Sequence, residues 1–129
     1  MRSVFLLLVL FFAIGSSQVF GQNGGKAEPG RIQFAKGTSS KLLTGTLRNG
    51  REMDYVFGAV KGQIVTIKNT TSSIFDFRVF NEEHFDEGDF DSSPSYSFEI
   101  PESGDYLFTV RKKIAGPRTA RFSLTLTIK

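Results

Sequence analysis

Apolar side chains recur at every second position in short runs, and this alternation limits the fold more than any other feature of the chain. In the last segment Phe122, Leu124, Leu126 and Ile128 alternate with Ser123, Thr125, Thr127 and Lys129, which gives a strand one apolar and one wet face. Tyr106, Phe108 and Val110 repeat the pattern just before it, with Thr109 on the outer face. Met53, Tyr55 and Phe57, then Val65 and Ile67, then Phe75, Phe77 and Val79, supply further inward faces. No helical period persists beyond the N-terminal region. Eight strands are predicted: 31–35, 41–48, 52–59, 63–69, 74–81, 95–100, 105–111 and 120–128. Turn-forming residues separate them, including Asn49-Gly50, Lys61-Gly62 and Gly116-Pro117. The expected fold is all-β, an antiparallel, jelly-roll-like β-sandwich of about eight strands.

The N-terminus indicates the compartment. Arg2 precedes an apolar run from Val4 to Ile14, followed by small and polar residues through Gly21-Gln22. That is the layout of a cleaved signal peptide, and the run is too short for the roughly 20 residues of a spanning helix. Cleavage after Gly21 or after Ser17 fits. Residues 1–21 are therefore expected to be removed, 22–30 to form a flexible leader and 31–129 to form one domain of about 100 residues. With no cysteine in the chain, disulfides, thiol nucleophiles, thiolate metal sites and a lipoprotein anchor drop out. The expected address is periplasmic or secreted, with no membrane association after cleavage. A formal charge of +3 gives no indication of a nucleic-acid partner. Most of the 14 phenylalanines follow the expected cleavage site and, in a chain without tryptophan, must build much of the core.

Catalytic constellations are missing. The one histidine, His84, lies among acids, with no nucleophile-elbow pattern and no second histidine or thiolate to share a metal. The expectation is a protein that is not an enzyme and carries no cofactor. Two loops concentrate charge. Residues 81–94 hold six acids and no Lys or Arg, and Asp86, Asp89 and Asp91 among them are weak calcium candidates. Phe85 and Phe90 sit among these acids, as anchors beneath the loop or as a contact surface. Residues 111–121 hold five bases and no acid, a patch for an anionic partner. If successive strands alternate in direction, both loops emerge at one end of the sandwich and neutralise each other, opposite the turn at Ser103.

Four segments, Leu43-Thr44-Gly45-Thr46-Leu47, Asp54-Tyr55-Val56-Phe57, Lys61-Gly62-Gln63-Ile64-Val65-Thr66-Ile67 and Ser103-Gly104-Asp105-Tyr106-Leu107-Phe108-Thr109-Val110, lie in an order that resembles a known layout. It is similar to the bacterial pre-peptidase C-terminal domains and the periplasmic inhibitors of g-type lysozyme. Phe34-Ala35-Lys36-Gly37-Thr38-Ser39-Ser40 looks more like the inhibitor branch. The resemblance implies a β-sandwich, a periplasmic or secreted address, and loops that block a lysozyme's sugar cleft. Several inhibitor families share a Ser-Gly-x-x-Tyr loop, which Ser103-Gly104-Asp105-Tyr106 matches one residue short. The binding candidates are thus Lys112, Lys113 and Arg118 on the basic loop, and Ser103, Asp105 and Tyr106 at the turn. The partner is a protein, a g-type lysozyme by resemblance, or alternatively a cell-wall polysaccharide bound by a stand-alone module.

Overall fold

A computed structural model describes residues 30–86 and 88–129; the signal peptide expected over 1–21 and the leader expected over 22–30, apart from Gly30, lie outside them. Among the described residues nine strands form two packed sheets: β1 (Gly30–Arg31), β2 (Ser40–Arg48), β3 (Glu52–Ala59), β4 (Ile64–Asn69), β5 (Phe75–Asn81), β6 (Phe85–Asp86), β7 (Ser95–Glu99), β8 (Gly104–Lys112) and β9 (Thr119–Ile128). One sheet runs β1-β3-β8-β5-β6 and the other β2-β9-β4-β7. No helix occurs among the described residues. The all-β sandwich expected from the alternation is the fold observed.

The inner faces are those that the period-two pattern selects. Phe57, Phe75, Phe77, Phe108 and Val110 of one sheet meet Val65, Ile67, Phe122, Leu124 and Leu126 of the other, all buried. Rings pack edge to face between the sheets, as Phe75 does on Phe122 at 5.5 Å between centroids. A core made of this much aromatic and branched surface holds the domain without a disulfide.

The structure differs from the sequence reading in three respects. The segment expected as a strand over 31–35 is a strand only at Gly30–Arg31, with one further bond from Ile32 N–H to Val56 O, and it runs parallel to β3, so the sandwich is not wholly antiparallel. Thr109 does face outward, but it is 7% exposed and donates to Asp54 Oδ1 at 2.7 Å. The acidic segment, finally, is not a free loop. It turns at Glu82–His84, pairs Phe85 and Asp86 with Asn81 and Phe80, and returns along β5 to bridge Asp91 to Phe77.

That extra strand inverts the parity of every connection after it. The acidic turn lies at the same end as the β7–β8 turn with Ser103, because Phe80 sits opposite Leu107 at the start of β8. The β8–β9 hairpin lies at the other end, beside the β2–β3 turn. Among the described residues no acid of the 82–91 segment forms an ion pair with a base of the hairpin. Asp86 pairs instead with Arg78 at 2.9 Å, and Arg111 with Asp76 of β5. Phe85 stacks on Phe98 at 4.6 Å and Phe90 covers the Arg111 guanidinium at 3.9 Å, so both phenylalanines are anchors.

Candidate functional site

The basic hairpin is built around a lysine that faces inward. Lys112 continues the register of Tyr106, Phe108 and Val110, and its side chain is fully buried. This corrects the expectation that Lys112 presents its charge to a partner. The ammonium donates to Asn49 Oδ1 at 2.9 Å, to the Lys113 carbonyl at 2.9 Å and to the Ala115 carbonyl at 2.6 Å. All three protons of an ammonium are thereby used. Backbone bonds tie the same region to the β2–β3 turn: Asn49 N–H to Arg118 O, Gly50 N–H to Lys112 O, and Lys112 N–H to Arg51 O. Gly116 turns the tip at φ 65°, where a Cβ would also press to 3.1 Å from Ile74.

Around this clamp the structure gathers four bases. Lys113 donates to Ser92 Oγ at 3.1 Å, Arg118 is exposed, and Arg48 and Arg51 flank the β2–β3 turn. Among the described residues none of the four has an ion-pair partner. A shallow hollow of about 370 Å³ opens here, lined by Thr46, Leu47, Arg48, Arg51, Glu52 and Thr119. Ile114 stands at the tip, 82% exposed. The sequence reading named Lys113 and Arg118 but missed Arg48, Arg51 and Ile114. A strand count of nine would have found the first two, since it brings the β2–β3 turn to the hairpin's end.

At the opposite end the other candidates are engaged internally. Ser103 Oγ accepts the Lys61 N–H at 2.8 Å. Asp105 pairs with Arg31 at 2.5 Å, and its carbonyl accepts from Asn81 Nδ2 at 2.8 Å. Tyr106 is buried, as its register requires, and its hydroxyl donates to Glu102 O at 2.6 Å. Gly104 sits at φ 153°, the positive value its turn demands.

The calcium candidates do not converge. Asp86 accepts from Arg78 and from the Gly88 N–H, and these bonds hold its carboxyl below the usual carboxylate range. Asp91 caps the Ser93 N–H at 2.7 Å. No group of three or more potential metal ligands occurs among the described residues. His84 lies 3.7 Å from Glu83.

The architecture is that shared by pre-peptidase C-terminal domains and periplasmic inhibitors of g-type lysozyme, as the four sequence segments implied. The chain is similar to Aeromonas hydrophila PliG, a periplasmic lysozyme inhibitor of g-type lysozyme, with 29% identity and a TM-score of 0.65 over 78% of this chain and 96% of that one. A mutant of the Escherichia coli inhibitor PliG matches at 25% identity and TM-score 0.59, over 77% of this chain and 96% of that one. The pre-peptidase C-terminal domain of a Bacillus anthracis collagenase shares the fold alone, at 18% identity and TM-score 0.50, over 83% of this chain and its whole length. No family model matches the sequence, and no curated protein does.

Proposed function

We propose that this protein is an exported, non-enzymatic inhibitor of a g-type lysozyme, and that the β8–β9 hairpin makes the contact. The observation that carries the reading is the clamp at Lys112, which fixes a loop bearing Lys113, Arg118 and the apolar tip of Ile114. A loop ordered before binding loses less freedom on association. Glycosidase clefts work through paired carboxylates, and a rigid finger with two cations that have no ion-pair partner among the described residues complements such a cleft. Ile114 would fill apolar space while Lys113 and Arg118 meet the acids. The protein itself makes or breaks no bond. The likeness to two periplasmic inhibitors supports this reading. The N-terminal run from Val4 to Ile14 supports the periplasmic or secreted address.

The test is lysis of bacterial cell walls by a g-type lysozyme, with and without the purified protein. Inhibition is expected at micromolar protein or below. Lys113→Glu with Arg118→Glu should weaken it roughly tenfold or more, mainly through slower association at low salt. Absence of any inhibition would overturn the proposal. Full inhibition by that double variant, with loss in Ser103→Ala/Asp105→Ala, would move the contact to the other end.

A further inference from the structure

The outer face of the four-stranded sheet carries a pattern that the hairpin does not use. Register sets one hydroxyl on each strand in a single row: Ser40 opposite Thr127, Thr127 opposite Thr66, and Thr66 opposite Ser97. The row is coupled in pairs, with Ser40 and Thr127 sharing a hydrogen bond at 2.7 Å and Thr66 and Ser97 one at 2.9 Å. Thr44 stands opposite Ser123 farther along the face, and Arg121 Nη2 donates to Thr44 Oγ1 at 3.1 Å. Four exposed cations, Arg48, Lys68, Arg121 and Lys129, lie on the same outward register, against one acid, Glu99. Among the described residues none of the four has an ion-pair partner, as is also true of Arg51, Lys113 and Arg118 at the hairpin end, whereas Arg31, Lys61, Arg78 and Arg111 are paired. The outward positions carry no aromatic ring.

We propose that this face binds an anionic polysaccharide laid flat across the strands. Neighbouring strands lie about 4.8 Å apart and same-face residues along a strand about 7 Å apart, so the hydroxyls and cations, with exposed Leu42 and Ile64 among them, form a regular grid. A plane encloses no small ligand, but an extended polymer engages many of its points at once. Each paired hydroxyl keeps lone pairs, and each pair keeps one O–H to donate; these match sugar hydroxyls and the oxygens of sulfate or carboxylate. The uncompensated cations supply the attraction. A single-stranded nucleic acid offers the same charge but relies on stacking against aromatic rings, which this face does not offer.

The experiment is calorimetric titration of the purified protein with heparin as a sulfated probe, polygalacturonate as a carboxylated one and dextran as a neutral control. Heparin and polygalacturonate should bind, more weakly as salt is raised, and dextran should not. Lys68→Glu with Arg121→Glu should reduce heparin affinity at least tenfold, and Lys68→Gln with Arg121→Gln should reduce it less. Both pairs sit on outward positions, and an unchanged melting temperature shows that each has folded. Lys113→Glu with Arg118→Glu, which tests the inhibitor reading, should leave heparin binding within twofold, so the two proposals fail separately. Equal loss in the face and hairpin variants, equal binding of dextran, or tighter binding of single-stranded DNA than of heparin would overturn the assignment.

Discussion

The two ends of the sandwich put their polar groups to opposite uses. At the turn end Arg31 is paired with Asp105, Lys61 with Glu102, Ser103 accepts a backbone N–H, and the Tyr106 hydroxyl hooks Glu102 O. At the hairpin end one cation is buried and saturated, while Arg48, Arg51, Lys113 and Arg118 have no ion-pair partner among the described residues. The turn end thus uses its charged groups to fold itself. The hairpin end commits Lys112 and Arg111 to structure and leaves Arg48, Arg51, Lys113 and Arg118 without an ion-pair partner among the described residues. A candidate residue's chemistry therefore says less about binding than what already satisfies it.

The largest effect should follow from breaking the clamp. Lys112→Met keeps the length and apolar stem but removes the donor to Asn49 Oδ1 and two carbonyls. Leaving part-buried acceptors unsatisfied should cost about 2–4 kcal/mol in denaturant unfolding. Amide exchange in the Lys113–Arg118 hairpin should quicken, with little change at the turn end. An unaltered melt would mean that the hairpin holds its shape without the lysine, and the contrast between the ends would lose its basis.

Tyr106→Phe is the matching change at the turn end, and its effect should be smaller. It removes one part-buried hydrogen bond, against the three that Lys112 loses, and retains the ring stacked on Phe57 at 5.6 Å. The expected loss is about 1 kcal/mol. A loss equal to that of Lys112→Met would show the turn end to be just as dependent on a single buried polar group.

Much of this fold was legible because burial follows a period of two. Phe122 through Ile128 and Tyr106 through Val110 point inward as the alternation says. Extended by one step, the same rule places Lys112 inside. It was missed because Arg111-Lys112-Lys113 reads as a hydrophilic run, and only the distant Asn49 and the hairpin's own carbonyls make a buried ammonium tolerable. The two-residue β6 was illegible for a different reason. Phe85–Asp86 is too short to show periodicity and sits among acids that resemble an open loop. Its pairing depends on Phe85 reaching Phe98 of the other sheet, and on Asp86 reaching Arg78. Missing it put the acidic turn at Glu82–His84 at the wrong end, while Ser103 and the basic hairpin were correctly expected to lie opposite each other.

The smallest effect should come from Asp105→Asn, and it separates the ends by function. The Arg31–Asp105 pair is short, but its side chains are 49% and 60% exposed. Water and salt screen such a pair, so its loss should cost about 0–1 kcal/mol. The backbone contact is untouched, because Asn81 Nδ2 donates to the Asp105 carbonyl rather than to its side chain. The variant should therefore melt close to the parent, and a change in lysozyme inhibition could be assigned to lost contact instead of lost structure. If the hairpin carries the binding, inhibition should stay within about twofold, because a distant exposed charge mainly alters the association rate. A loss exceeding that of Lys113→Glu would reverse the comparison, making the self-paired end the binding end and its ion pair a latch that opens on the partner.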